Sequence, residues 1–116
     1  MDEEMDDEVS TVAMQVILNA GNGRDKTDKA LDAMASFDFD AAKSYLDEAE
    51  KDILKAHAAQ TGMIQRQAAG EKFAYSILFV HAQDTLMTID AQLHSARKML
   101  AVFAALYAEI QANRLS

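Results

Sequence analysis

Several residue types are missing from the sequence, and each absence excludes a class of structure. The chain has no cysteine, no proline and no tryptophan, and it has four glycines in 116 residues. Without cysteine it forms neither disulfides nor thiolate metal sites, which suits a reducing compartment. Without proline and with little glycine, good helix formers dominate. Half of the residues are apolar, so a single all-α domain over residues 1–116 is predicted.

Basic residues are fewer than acidic residues in this chain. Eleven Lys and Arg face nineteen Asp and Glu, for a net charge of −8. Nucleic acids are bound through clustered basic side chains, so they are not expected as partners, and basic proteins are better candidates. No signal peptide and no uncharged stretch of membrane-spanning length is visible. We therefore expect a cytoplasmic protein with no direct membrane insertion.

The acidic residues concentrate at the amino terminus, in residues 1–8. They are predicted to form a frayed lead-in whose carboxylates favour the positive end of the following helix. The first helical segment is then predicted to end near Ser36 or Phe37. Gly21 and Gly23 interrupt it, each at a cost of about 1 kcal/mol relative to Ala. Close backbone approach or a bend explains such glycines, and room for a ligand is the alternative.

The second segment carries a seam that resembles a coiled coil, with Asp38 or Asp40 as its N-cap. Gly70 is predicted to cap its end in the left-handed conformation, with only a tight turn before the third segment. The second and third helices are therefore predicted to be antiparallel. The seam consists of Ala42, Leu46, Ala49, Ile53, Ala56, Gln60, Met63 and Gln67.

The third segment carries two stripes on roughly opposite faces. The core stripe is Phe79, Ala82, Leu86, Ile89, Leu93, Ala96, Leu100, Phe103, Tyr107 and Ile110. The second stripe is Ile77, His81, Asp84, Thr88, Ala91 and Ser95. A helix of about 40 residues is roughly 60 Å long, and three thin helices cannot cover all its sides. Self-association through the second stripe is predicted, which would bring copies of Asp84 together around a shared cation.

His81 is the candidate for chemistry, because a neutral imidazole is a nucleophile near pH 7 and can hold a phosphoryl group. A metal site is less favoured, because His81 and Asp84 supply only two ligands. A structural histidine with a satisfied ring is the alternative. His57 is predicted to be a polar group at a helix interface, and His94 a surface residue.

The chain resembles the lactose/cellobiose-type (lactose/N,N'-diacetylchitobiose) IIA component of the bacterial phosphoenolpyruvate-dependent sugar phosphotransferase system. The last of the matching blocks is specific, whereas the others would be weak alone. In chain order the blocks are Ala20-Gly21 with Arg24, Asp38-Phe39 with Ala41-Ala42, Ala56-His57 with Gln60-Thr61, Gly70-Glu71, and Val80-His81-Ala82-Gln83-Asp84 with Leu86-Met87-Thr88.

This resemblance implies a protomer of three antiparallel helices that assembles as a homotrimer, a nine-helix bundle. It implies that His81 is phosphorylated by the carrier HPr and passes the group to a cysteine of the IIB component, with a IIC permease completing the system. The cargo would be a disaccharide of the lactose, cellobiose or chitobiose class. Asp84 would gather at the trimer axis and bind a divalent cation such as magnesium. Gln60, Thr61 and Gln83 are predicted to hydrogen-bond near His81.

Two departures from the family pattern and two alternative functions accompany this resemblance. Thr85 stands where many relatives have a second histidine, and Phe37 where relatives often have glycine. The first alternative is a histidine phosphotransfer domain of two-component signalling, although Thr85 and Leu86 stand where such domains have a basic residue and a glycine. The second is a non-catalytic helical oligomerisation module.

Overall fold

A computed structural model describes residues 2–115, with side chains from residue 7 onward. It contains three helices, α1 (Asp2–Ala35), α2 (Phe39–Ala68) and α3 (Ile77–Leu115), in an elongated bundle of 72 × 21 × 18 Å. None of the described residues forms a strand, which confirms the all-α prediction. None of the three helices is both long and apolar enough to cross a membrane.

The acidic amino terminus belongs to α1. The helix begins at Asp2, so residues 2–8 form its first turns; residue 1 lies outside the described residues, and the fraying of this segment stays a prediction. Glu8 is anchored by ion pairing to Arg66, near the end of α2. Since the start of α1 meets the end of α2, these two helices are antiparallel.

The connection between α1 and α2 is short and strained. Asp38 is the N-cap of α2, and its carboxylate accepts a hydrogen bond from the Ala41 amide at 3.1 Å. Of the two predicted caps, Asp38 is therefore the one used. Phe37, just before it, has a φ of 63°, a left-handed conformation that few residues other than glycine adopt.

The connection between α2 and α3 is longer than the predicted tight turn. Gly70 has a φ of 104°, as expected of a left-handed cap. The chain then remains non-helical from Glu71 to Ser76. Arg66 stabilises this segment, because its guanidinium bonds to Glu71 at 2.8 Å and lies 5.0 Å from the centre of the Phe73 ring. These contacts are made across the loop, so the turn residues alone did not predict them.

Polar contacts between α2 and α3 establish their relative direction. His57 lies 3.3 Å from Asp90, and further along the seam Arg97 bonds to Asp47 at 3.1 Å. As the residue number rises along α3 it falls along α2, which confirms the antiparallel pair. The contact of His57 confirms it as an interface group.

The two interrupting glycines of α1 have different surroundings. A Cβ on Gly23 would lie 2.8 Å from Cγ1 of Ile53 and 3.2 Å from the Ala49 carbonyl oxygen. A Cβ on Gly21 would meet nothing within 4 Å. Close backbone approach, one of the explanations that the sequence pattern suggested, therefore applies to Gly23 and not to Gly21.

The core follows the predicted stripes for most of their length. In α3 the buried positions are Ala82, Leu86, Ile89, Leu93 and Ala96. Beyond the half-buried Leu100, the stripe becomes exposed, and Phe103 and Ile110 retain 45% and 47% of their surface. The prediction was wrong for these two positions because Phe103 and Ile110 line an open groove with Leu31, Met34 and Phe37, and none of the residues that line this groove comes from α2.

Candidate functional site

His81 lies about one turn from the start of α3, with its side chain exposed to solvent. Ser76 caps this helix end by accepting a hydrogen bond from the Phe79 amide at 3.1 Å. Within the described part of the chain, no hydrogen bond or ion pair involves the His81 ring. The positive end of a helix dipole favours negative charge in its first turns. The ring is therefore accessible and lies where a phosphoryl group would be favoured.

Asp84 follows His81 by three positions and is also exposed. Its backbone carbonyl accepts a hydrogen bond from the Thr88 hydroxyl at 2.9 Å, whereas its carboxylate has no such partner among the described residues. The carboxylate lines a cleft of about 190 Å³ between α1 and α3, together with Arg24 and Thr85. A negative and a positive side chain thus border one cleft without forming an ion pair.

Gln83 faces a different part of the molecule from His81. Residues two apart on a helix point about 200° from one another. Gln83 is half-buried and lines a cavity of about 200 Å³ with Met63 of α2 and Tyr75 of the preceding loop. Because the two side chains lie on opposite flanks of α3, one chain does not place both of them around the same group.

Gln60 and Thr61 lie on α2, and they differ in burial. Thr61 is exposed, whereas Gln60 occupies the core seam and its Oε1 atom is buried without a hydrogen-bond partner in the described part of the molecule. A buried acceptor of this kind is costly unless a water or another group satisfies it. No hydrogen bond joins either residue, or Gln83, to His81, so their supporting role stays a prediction.

The second stripe of α3 is exposed over its whole predicted length. It also continues beyond Ser95 at the same spacing of three and four, through the exposed apolar side chains of Met99, Val102 and Leu106. The half of this surface nearer the start of α3, its upper half, carries His81 and Asp84. The half nearer the end of α3, its lower half, is apolar. We call the entire surface the outer stripe of α3; it consists of Ile77, His81, Asp84, Thr88, Ala91, Ser95, Met99, Val102 and Leu106.

A single chain offers no complete metal site. Among the described residues, no group of three or more His, Cys, Asp or Glu side chains is arranged to hold a metal ion. One Asp84 carboxylate by itself supplies a single hard oxygen ligand of the type that magnesium prefers. The residues present therefore fit a divalent cation only where several copies of Asp84 converge.

Arg66 organises the loop that leads into the site. Hydrogen bonds from Arg66 hold the pKa of Glu71 below its ordinary value of 4.5. The pKa of Arg66 is raised, first by its hydrogen bonds to Glu71 and to a smaller extent by those to Glu8. Arg66 and Glu71 are both charged at neutral pH. Arg66 therefore links the end of α2 to the start of α1, through Glu8, and to the segment before α3, through Glu71.

Sequence reasoning missed Ser76, Arg66 and the pairing of Arg24 with Asp84 in one cleft. Ser76 had a local signal, since a serine just before a helical segment is a typical N-cap. Nothing local signalled the other two contacts between helices, because Glu8 lies 58 positions from Arg66 and Asp84 lies 60 positions from Arg24.

Comparisons with known proteins identify relatives over most of the chain. The family model described as "PTS system, Lactose/Cellobiose specific IIA subunit" matches residues 11–104. The lichenan-specific phosphotransferase enzyme IIA component of Bacillus subtilis is 37% identical over 110 residues, which are 95% of this chain and 96% of that protein.

Solved structures agree with the family match. The crystal structure of PtcA from S. mutans superposes with a TM-score of 0.82 at 39% identity, covering 84% of this chain and 95% of the other. The IIA(Chitobiose) complex with HPr, from the N,N'-diacetylchitobiose branch of the Escherichia coli phosphotransferase system, gives a TM-score of 0.71 at 28% identity, covering 85% and 96%. With a family match over residues 11–104 and a shared fold, this chain belongs to the lactose/cellobiose-specific IIA subunit family of the sugar phosphotransferase system.

Proposed function

We propose that this IIA protein carries a phosphoryl group on His81, taken from phosphorylated HPr and delivered to a cysteine of a IIB component. One observation carries the proposal: the His81 ring is exposed and has no protein partner near the start of a helix, in a chain of this family. The related IIA(Chitobiose) protein forms a complex with HPr, which supports HPr as the donor.

The two transfers conserve the phosphoryl group. In the first, a ring nitrogen of neutral His81 attacks the phosphorus of the donor phosphohistidine. A nitrogen–phosphorus bond forms on His81 as the donor bond breaks, and its electron pair returns to the donor ring. In the second, the deprotonated sulfur of the IIB cysteine attacks, and the electron pair of the broken bond returns to His81.

These steps require positioning and charge stabilisation more than acid–base chemistry. The start of α3, held by the Ser76 cap, favours the added negative charge on His81. Gln60, Thr61 and Gln83 are the proposed hydrogen-bonding neighbours.

A homotrimer, with nine helices in all, is the proposed assembly. The outer stripe supports it, since its lower half exposes Met99, Val102 and Leu106 at regular helical spacing. Apolar side chains repeated at three and four positions along a helix favour packing against a second helix. With its lower half placed at a threefold axis, the stripe would bury these side chains and bring three Asp84 carboxylates together, while His81, near the start of α3, stays accessible to a partner protein.

Asp84 would hold the divalent cation, which we propose to be magnesium. The cation would supply positive charge to offset the repulsion between the carboxylates. Asp84 itself serves assembly and takes no part in the transfer.

The remaining partners follow from the proposed role. We propose that the protein acts in the cytoplasm, together with a IIB component and a IIC permease. Its activity would serve the uptake and phosphorylation of a disaccharide of the lactose, cellobiose or chitobiose class. The net charge of −8 suits basic protein partners rather than nucleic acid.

Phosphorylation in a reconstituted system tests the carrier role. The protein is incubated with phosphoenolpyruvate, enzyme I and HPr, and the acid-labile phosphate on it is measured. We expect one phosphoryl group per chain for the wild type and for the control His94→Gln, whose histidine is exposed on the same helix. His81→Gln should take up none. Equal labelling of His81→Gln, or no labelling of the wild type, would overturn the proposal.

Asp84→Leu tests the assembly. We expect this trimer to lose its stabilisation by magnesium, because the converging carboxylates are gone, whereas Asp25→Leu on the surface of α1 should keep it. Sedimentation and thermal unfolding with and without magnesium measure both properties. A trimer of Asp84→Leu with unchanged stability and magnesium response would show that Asp84 is not at the axis.

A further inference from the structure

Basic side chains bridge two of the three seams between helices. Arg66 of α2 is paired with Glu8 of α1, and Arg97 of α3 is paired with Asp47 and Glu50 of α2. No ion pair within the described residues crosses the third seam, between α1 and α3. This seam is the one that borders the outer stripe.

The third seam nevertheless contains both charges of an ion pair. Arg24 of α1 and Asp84 of α3 line the same cleft of about 190 Å³, and both residues are exposed. Neither charged group bonds to another side chain in the described part of the protein. Among the described residues, the guanidinium of Arg24 therefore has no carboxylate partner and the carboxylate of Asp84 has no basic partner, although both residues line one cleft.

The cleft associates Arg24 with Asp84 rather than with the reacting histidine. The residues that line it come from Asp84 onward along α3 and do not include His81. The side chain of Arg24 is long and flexible, and it carries a positively charged guanidinium. Because both residues line this cleft, rotation of the Arg24 side chain within it would move the guanidinium toward the carboxylate.

The proposed threefold assembly gives this pair a role. Three carboxylates that converge at an axis repel one another unless positive charge is close by. A divalent cation supplies that charge only where it is abundant, whereas an arginine at the same cleft is always present. Three copies of Arg24 would supply as much positive charge as three carboxylates require.

We infer that Arg24 is the counter-ion of Asp84 in the assembled protein and competes with the divalent cation for that carboxylate. The inference rests on the proposed threefold assembly and on no step of the phosphoryl transfer. It means that the trimer does not depend on metal, and that the cation binds only as Arg24 is displaced.

The test compares Arg24→Gln with the wild type by sedimentation velocity and thermal unfolding, in EDTA and in a magnesium chloride series. The wild type should remain trimeric in EDTA. In EDTA, Arg24→Gln should dissociate at protein concentrations about fivefold higher, which for a trimer is a roughly 25-fold larger dissociation constant, or about 2 kcal/mol. Magnesium should restore this trimer, and its stabilising effect should exceed that on the wild type.

Three further variants separate this role from a general loss of charge. Lys29→Gln removes the same charge from an exposed position on the same helix and should match the wild type. Arg24→Lys should also match it, since the ammonium still reaches the carboxylate. In Arg24→Gln/Asp84→Asn the need for a counter-ion is gone, so the trimer should be insensitive to EDTA.

Each contrary result has a distinct meaning. If Arg24→Gln and Lys29→Gln respond alike to EDTA and magnesium, Arg24 is not the counter-ion. If the wild type is trimeric only with magnesium, the metal alone performs this role and the inference fails. If it is monomeric in all conditions, both the inference and the trimer fail, and labelling of His81 still decides the carrier role separately.

Discussion

Phe37 stacks on Tyr107, with ring centroids 4.9 Å apart and planes 21° from parallel, although the backbone of Phe37 is in the left-handed region. The Phe39 ring packs edge-on against the same tyrosine at 5.6 Å. The aromatic rings therefore join the α1–α2 connection to α3. Phe37 gains this stacking at the cost of backbone strain.

Substitutions at Phe37 separate the stacking from the strain. Phe37→Ala loses the ring and keeps the unfavourable φ, so it should destabilise the protein. Phe37→Gly loses the same ring and relieves the strain, so it should be about 1 kcal/mol more stable than Phe37→Ala. Urea unfolding of both variants measures the difference, and an alanine variant as stable as the glycine one would contradict it.

Alanine substitutions at the two glycines of α1 should have opposite effects. Gly23→Ala forces a Cβ against Ile53 and the Ala49 carbonyl, and it should cost about 1–3 kcal/mol of unfolding free energy. Gly21→Ala meets open space and should stabilise the helix by up to about 1 kcal/mol. Chemical denaturation of the pair checks this, and equal effects would show that the seam at Gly23 is not tight.

The cap of α3 should affect both stability and the reactivity of His81. Ser76→Ala removes the acceptor for the Phe79 amide and should cost about 1 kcal/mol. The loosened first turn should also slow phosphorylation of His81. Ser44→Ala, at an exposed position of α2, is the matched control and should change neither. Thermal unfolding and the rate of labelling by phosphorylated HPr are the measurements. An unchanged rate would show that the cap has no effect on the phosphorylation of His81.

The ion pair between Arg66 and Glu71 should make stability depend on pH. Because the pKa of Glu71 is lowered in the folded state, its stabilisation is present above the ordinary value of 4.5 and is lost as the pH falls through the folded pKa. Glu71→Gln should therefore unfold at a lower temperature than the wild type near neutral pH.

This difference should vanish in acid. Unfolding midpoints of Glu71→Gln and the wild type are compared between about pH 3 and about pH 7. Glu109→Gln, with an exposed carboxylate on α3, is the control and should match the wild type throughout. A gap that stays constant with pH would mean that the charge of Glu71 is irrelevant.

The helices and their buried faces could be predicted from local pattern. The spacing of Leu46, Ile53 and Leu86 predicts seams, and these residues are buried. The exposure of the outer stripe at His81 and Asp84 follows from the same periodicity. Family membership also followed from short blocks of sequence, because the residues around His81 are adjacent in the chain.

Contacts between distant residues could not be predicted in this way. Arg66 is paired with Glu8, 58 positions away, and the cleft shared by Arg24 and Asp84 depends on how α1 packs beside α3. The predicted core stripe failed at Phe103 because its burial depends on how closely α1 and α2 approach α3 at that level.

The sequence by itself determined that this protein is three long helices with a histidine on an uncovered face, because helical periodicity is a property of neighbouring residues. Only the tertiary structure decided which charges meet, how far the core extends along α3 and which flank each polar side chain of the site occupies. These features depend on distances between helices, which packing sets and no local pattern encodes.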